Sequence, residues 1–168
     1  MSEIPSSPSS EEILNQPEKE STVEPAREED AAEIADLNTL FHLDIPDFKW
    51  DNESWVREQI EQGNYFVLKE DGTLTGAVNL QTQEDSLSIE TIAVRKDLQG
   101  RGTGRKLIDF AKDQAQQKGK PKLTVESFTD YGLESFYQKV GFGKDDPYLG
   151  DYQGKPYYRF IMDTASQR

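Results

Sequence analysis

Arg95-Lys96-Asp97-Leu98-Gln99-Gly100-Arg101-Gly102-Thr103-Gly104-Arg105-Lys106 joins a strand-like run to an amphipathic one. Five bases stand here against a single acid, in a chain whose formal net charge is -13. Three alternate glycines let backbone amides approach a ligand, and amides at a helix start are unpaired and carry a partial positive charge. Together these features describe an anion site, with phosphate as the natural guest. The plainer alternative is a connecting turn whose bases are merely solvated. A P-loop needs Gly-Lys-Ser/Thr after four spacer residues, and the fifth residue after Gly100 is Arg105, so that pattern fails. The dinucleotide fingerprint fails at the same residue, because its third glycine is required there.

The flanks of this turn set the fold class. Leu87 to Val94 reads as a strand, preceded by two others, Asn64-Tyr65-Phe66-Val67-Leu68-Lys69-Glu70 and Thr73 to Gln83. Asp71-Gly72 between those two suits a tight hairpin, so a three-stranded antiparallel meander is predicted. Upstream, Ala31, Ile34, Leu37 and Phe41 mark a helix beginning near Glu28, after an extended piece at 22–25. A second helix is opened by Asn52, carries Val56 and Ile60 on one side and stops at Gly63. Downstream, Leu107, Ile108, Ala111 and Ala115 mark a helix from about Gly102 to Lys118. A strand at 122–128 follows, then a helix with Leu133, Phe136, Tyr137 and Val140 on one stripe, then a last strand from Tyr157 to Met162. The expected architecture is a single α/β domain with a mixed, mostly antiparallel sheet flanked by helices.

At 168 residues the chain has room for one domain. Residues 1–21 are rich in Ser, Pro and Glu and are expected to form a disordered acidic tail, leaving 22–168 as the folded domain. The tail has neither the basic nor the apolar region of a secretory leader, and no apolar run approaches the ~20 residues of a membrane span. A cytoplasmic location without membrane or nucleic-acid partners is expected, since the acidic field repels anionic polymers and lipids. Cysteine is absent and His42 is the sole histidine, which removes thiol nucleophiles and Cys or His zinc cages. No metal is expected.

Gln99, Gly102 and Gly104 match the Q/R-x-x-G-x-G/A signature, and on them the chain resembles the GNAT superfamily of acetyl-CoA-dependent N-acetyltransferases. Ile89-Glu90-Thr91-Ile92-Ala93-Val94 is similar to the family strand before the loop, and Ser135-Phe136-Tyr137-Gln138-Lys139-Val140-Gly141-Phe142 to its FYxKxGF helix end. The order of elements matches over nearly the whole body. Two departures stand out: Lys96 replaces the usual Pro, and Asp130 stands where an Asn commonly precedes the tyrosine helix.

The resemblance implies that acetyl-CoA is the cosubstrate, with its pyrophosphate on the amides of Gln99 to Gly104 and its pantetheine along Ile92, Ala93 and Val94. The implied cofactor contacts are thus Ile92, Ala93, Val94, Gln99, Gly100, Arg101, Gly102, Thr103, Gly104, Arg105 and Asp130. The thioester then points into a gap between that strand and 123–128. Direct attack by an amine in a ternary complex is expected, and the lack of cysteine independently excludes an acyl-cysteine intermediate. Because an alkyl amine, pKa ~10.4, is mostly protonated at neutral pH, a base or water chain must accept a proton. Glu90 is the candidate: strand alternation puts Ser88, Glu90, Ile92 and Val94 on one face, where a carboxylate beside two apolar residues needs a polar purpose. Its bland alternative is a pair with a neighbouring base or with solvent. Tyr137 matches the family tyrosine that protonates the departing thiolate, although the same position suits a plain core residue.

In the family the acceptor pocket is built by the segment between the first two helices and by the loop before the last strand. Here these supply Phe41, His42, Asp44, Asp47, Phe48, Trp50 and Asp51, then Asp145, Asp146, Tyr148, Asp151 and Tyr152. Acids mixed with aromatics suit a cationic amine. A small-molecule amine is the expected acceptor; a basic peptide, acetylated at lysine or its N-terminus, is the second reading, and a non-catalytic acyl-CoA-binding module the third. A homodimer is left open.

Overall fold

The computed structural model describes residues 22–164. The proposed tail at 1–21 lies outside them. Eight strands form one sheet: β1 (Thr22–Pro25), β2 (Tyr65–Glu70), β3 (Thr73–Thr82), β4 (Ser86–Val94), β5 (Lys122–Phe128), β6 (Gly143–Lys144), β7 (Gly150–Tyr152) and β8 (Lys155–Asp163). Among the described residues four α-helices accompany them: α1 (Ala31–Asn38), α2 (Glu53–Glu61), α3 (Thr103–Gln117) and α4 (Glu134–Lys139). The sheet runs β1-β2-β3-β4-β5-β8-β6, with β7 also paired to β8. Every pairing is antiparallel except that of β4 with β5.

Local chemistry explains most of these elements. Asp71 and Gly72 both take positive φ, 54° and 81°, which is the twist a two-residue hairpin between β2 and β3 requires. Asn52 caps α2, its side-chain oxygen accepting from the amides of Ser54 (2.9 Å) and Trp55 (3.2 Å). The helix expected from Glu28 opens as a 3-10 turn (Glu28–Asp30) before becoming α1, and Phe41 falls in a second such turn (Thr39–Phe41).

The sheet is covered on both faces. Leu107, Ile108, Ala111 and Ala115 of α3 pack with Leu68, Val78, Leu80, Leu87, Ile89, Leu123 and Val125. On the other face Ala31, Ile34 and Val56 pack with Tyr65, Val67, Ala77 and Ala93. Burying a side chain such as Leu107 or Ile34 contributes about 1.5–3 kcal/mol. Two-sided burial explains why the strands carry apolar residues on both faces.

One expectation about β4 needs correction. Asn79 pairs with Thr91 and Leu80 with Ile89, so Glu90 has no partner on β3 and forms a β-bulge. The extra residue reverses the alternation. Leu87 and Ile89 face α3 before it, whereas Ile92 and Val94 face α3 after it, with Ala93 turned to the opposite core. Ser88 therefore does not share a face with Ile92 and Val94, and Glu90 sits at the switch.

Candidate active site

Strands β4 and β5 pair only from Ser86↔Lys122 to Ile89↔Val125. Beyond that point β5 continues with β8 alone, while β4 continues with β3 alone. The two strands part, and the edge of β4 from Glu90 to Val94 faces a cleft without a strand partner. Two cavities fill the wedge, of about 270 Å³ and about 440 Å³. Phe41, Ile92, Tyr131, Leu133 and Tyr137 line both, so the cavities meet at the end of β4.

The larger cavity ends at the glycine turn. Ala93, Val94, Gln99, Gly100 and Gly104 line it. Gly100 and Gly102 both have φ of 85°, and Gly102 is the N-cap of α3. The Gln99 amide folds back to the Lys96 carbonyl at 3.4 Å, and its side chain donates to the Val94 carbonyl at 3.2 Å. The next backbone amide with a backbone acceptor among the described residues is Lys106, to Gly102 at 3.0 Å. The amides from Gly100 to Arg105 are thus left over at the positive end of a fifteen-residue helix. Gly104 serves packing as well, since a Cβ there would meet Cζ of Phe136 at 3.3 Å. Such a turn fits a diphosphate.

The sequence-predicted residues are not all brought together. Arg101, Gly102, Thr103 and Arg105 do not line the cavity; Thr103 is buried and the other three are exposed. Arg95 is held by Asp97 through two bonds of 3.2 and 2.8 Å. Asp130 is exposed, pairs with Lys155 at 2.7 Å and lines neither cavity.

Tyr137 stands where the cavities meet. Its ring stacks on Phe160 with centroids 5.1 Å apart and meets Phe142 edge-on. Burial pushes its phenol well above the ordinary tyrosine range, because the anion would be desolvated. The hydroxyl has no hydrogen-bond partner among the described residues, yet it is not sealed in as Asn38 Oδ1 and Ser127 Oγ are. A neutral O–H therefore faces the cleft.

The smaller cavity is walled by Phe41, Trp50, Phe128, Tyr131, Tyr152 and Tyr157. Trp50 meets Tyr152 and Phe128 edge-on, at 5.2 and 6.3 Å. Two carboxylates line it. Glu126 is paired with Arg159 at 3.1 Å, whereas Glu90 has no ion pair among the described residues and accepts one hydrogen bond, from Trp50 Nε1 at 2.8 Å. The Tyr152 hydroxyl donates to the Asp47 carbonyl at 2.9 Å, tying the end of β7 to the loop between α1 and α2. Tyr131 likewise donates to the Phe41 carbonyl at 2.6 Å.

Among the loop residues expected here, Phe41, Trp50 and Tyr152 line the smaller cavity and Asp47 supplies its bridge. His42 lines the larger one, with Nδ1 2.7 Å from Asp51 Oδ2. Asp44, Asp146 and Asp151 line neither, and Tyr148 instead lies beneath Arg159 at 3.8 Å. Sequence reasoning missed Ser127, whose period-2 spacing with Leu123 and Val125 does mark it as inward-facing. It also missed Tyr131 and Tyr157, for which no pattern in the sequence offers a signal. No cluster of His, Asp or Glu able to hold a metal occurs among the described residues.

A parallel pair that splits, with leftover amides at one end of the split and a buried phenol at its centre, defines an acyltransferase scaffold of the acetyl-CoA type. The chain matches the acetyltransferase (GNAT) domain over residues 45–150 and belongs to that family of acetyl-CoA-dependent N-acetyltransferases. It is similar to the ribosomal protein bS18-alanine N-acetyltransferase of Escherichia coli K12, at 25% identity over 115 residues, 67% of this chain and 78% of the relative. Its fold is similar to that of an acetyltransferase from Salmonella typhimurium with its cofactor acetyl-CoA, with TM-score 0.65, 19% identity and coverage of 86% and 94% of the two chains. N-acetylglutamate synthase from Neisseria gonorrhoeae, complexed with coenzyme A and L-arginine, gives TM-score 0.66 at 20% identity, covering 86% of this chain and 33% of that one. Among the described residues no helix is long and apolar enough to cross a membrane.

Proposed function

We propose that this protein acetylates the primary amine of a small cationic acceptor by direct attack in a ternary complex, in the cytoplasm. The observation that carries the reading is the meeting of two unlike cavities at Tyr137: leftover amides end one, and an unpaired carboxylate lines the other. Acetyl-CoA supplies an acyl group on a thiol leaving group. The amides of Gly100 to Arg105 would hold its diphosphate, and the open edge of β4 at Ile92, Ala93 and Val94 its pantetheine. Asp130 is held by Lys155 and lines neither cavity, and no contact with acetyl-CoA is assigned to it.

The amine nitrogen attacks the acetyl carbon, the carbon–sulfur bond breaks, and two protons must be handled. Glu90, through a water, accepts the proton that frees the ammonium nitrogen for attack; the second nitrogen proton leaves as the carbon–sulfur bond breaks and replaces the one given to the sulfur. Tyr137 donates its hydroxyl proton, or a hydrogen bond, to the departing sulfur, and burial keeps that proton in place at neutral pH. Aromatic walls and the Glu90 charge favour a cationic guest.

Peptide acetylation is the second reading, supported by the similarity to an enzyme of ribosomal protein bS18. The bridge from Tyr152 to Asp47 favours the small acceptor, because it ties a wall of the cavity to the loop between α1 and α2 instead of leaving the two free to part around a chain. Polyamines, amino acids and basic peptides should be screened with acetyl-CoA, following free thiol and acetylated mass. Turnover of small amines at higher kcat/KM than any peptide is expected. Acetylation of peptides alone would refute the small-acceptor assignment.

A further inference from the structure

The bulge leaves a problem at Glu90. Residues on either side of it face opposite cores, so strand geometry does not aim its side chain. No cation among the described residues pairs with it, and one donor reaches it: the indole N–H of Trp50, 2.8 Å from Oε2. Indole nitrogen can only donate, so this contact occupies a lone pair of the carboxylate oxygen and fixes where that oxygen lies.

Trp50 is itself held from several sides. Its carbonyl accepts from Nδ2 of Asn38 at 2.8 Å, and Asn38, fully buried in α1, gives its other amide hydrogen to the Tyr65 hydroxyl at 2.9 Å. Tyr65 in turn lies 2.8 Å from Oγ1 of Thr91. The Trp50 ring itself packs edge-on against Phe48 at 4.9 Å and Tyr152 at 5.2 Å. One loop residue is therefore tied by two hydrogen-bonded routes to adjacent positions, Glu90 and Thr91, at the point where β4 leaves β5.

We propose that Trp50 is the positioning residue of the proton-accepting carboxylate: its indole fixes Oε2 of Glu90 and leaves Oε1 turned to the acceptor cavity. The inference rests on the reading of Glu90 as proton acceptor. Because the same ring forms a wall of that cavity, the acceptor and the base are registered against one side chain. The charged and titratable groups around the carboxylate come from several elements. Lys49 belongs to the same loop; Glu126 of β5 is matched by Arg159 of β8; the phenols of Tyr65, Tyr131, Tyr137 and Tyr157 are all pushed above the ordinary tyrosine range, and Tyr152 adds a fifth phenol. Replacing Trp50 by phenylalanine removes a donor to Glu90 and alters none of these charges.

The test is the pH profile of kcat/KM for the best amine in Trp50→Phe and Glu90→Gln, with calorimetric binding of desulfo-CoA as a control of folding. Trp50→Phe should lower kcat for the amine roughly tenfold across the profile, with KM for acetyl-CoA unchanged. Glu90→Gln should remove the limb and cost about a hundredfold or more. If Glu90→Gln keeps the wild-type rate and limb, the base reading itself fails. If Glu90→Gln is impaired while Trp50→Phe matches wild type, the base stands and the positioning inference is overturned.

A second measurement needs no loss-of-packing variant. The chain has two tryptophans, Trp50 and Trp55. In the intact protein the indole N–H resonance of Trp50 should move in Glu90→Gln, and that of Trp55 should not. A Trp50 signal indifferent to that substitution would overturn the inference.

Discussion

The hydroxyl of Tyr65 lies 2.8 Å from Oγ1 of Thr91, one residue past the bulge at Glu90. Both groups are buried, and Asn38 donates to the same phenol oxygen from the opposite side. Desolvation pushes the Tyr65 phenol up to about 12. Tyr65→Phe leaves a buried amide hydrogen and a buried hydroxyl unpaired, and should cost about 1–3 kcal/mol of stability. Urea denaturation measures this. A change below a few tenths would mean that the hydroxyl is not a structural link.

Tyr137→Phe should lower kcat with little change in desulfo-CoA binding, since the ring contacts with Phe160 and Phe142 survive. It should also change alkaline behaviour. The folded-state phenol lies above its unfolded value of ~10, so the folded state holds its proton longer. Stability linked to this group is complete below about pH 10 and lost as the pH climbs past it. In Tyr137→Phe that part of the decline disappears, and a melting series across alkaline pH should show a shallower fall than wild type.

Gly102 and Gly104 should fail in different ways when changed to alanine. At Gly102 nothing lies within 4 Å of an added Cβ, so the penalty is conformational, set by φ of 85°, at about 1–2 kcal/mol. At Gly104 the backbone is helical and the added methyl instead crowds Phe136 at 3.3 Å. Both variants should raise KM for acetyl-CoA. Phe136→Leu should restore Gly104→Ala and leave Gly102→Ala unimproved, as steady-state kinetics on the double variants can check.

Tyr152→Phe removes the hydroxyl that bridges to the Asp47 carbonyl while keeping the ring against Trp50. KM for the acceptor should rise several-fold, with KM for acetyl-CoA unchanged. Equal effects on both constants would place the bridge outside acceptor binding.

Much of this architecture is legible in the sequence because its signals are local. Asp71-Gly72 dictates a turn, Asn52 a helix start, and the spacing of Leu107, Ile108, Ala111 and Ala115 a buried stripe, whatever the rest of the chain does. The glycine turn is legible for the same reason. The bulge at Glu90 is not, because register is chosen between β3 and β4 and leaves no mark on β4 alone. Leu133 belonged by spacing to a helical stripe, yet it lies just before α4 and is 38% exposed. The short strands β6 and β7 were also invisible, since two or three residues carry no periodicity and are held by β8. Likewise the Trp50 bond to Glu90 spans forty positions and follows only from the folded loop.

Amide resonances of the intact protein, followed while desulfo-CoA is added, test the central claim most directly. The largest shifts should fall on Gly100 to Arg105, with smaller ones along Ile92 to Val94. Saturation with those amides unmoved, or with the main shifts at another helix end, would contradict the assignment of the diphosphate to this turn.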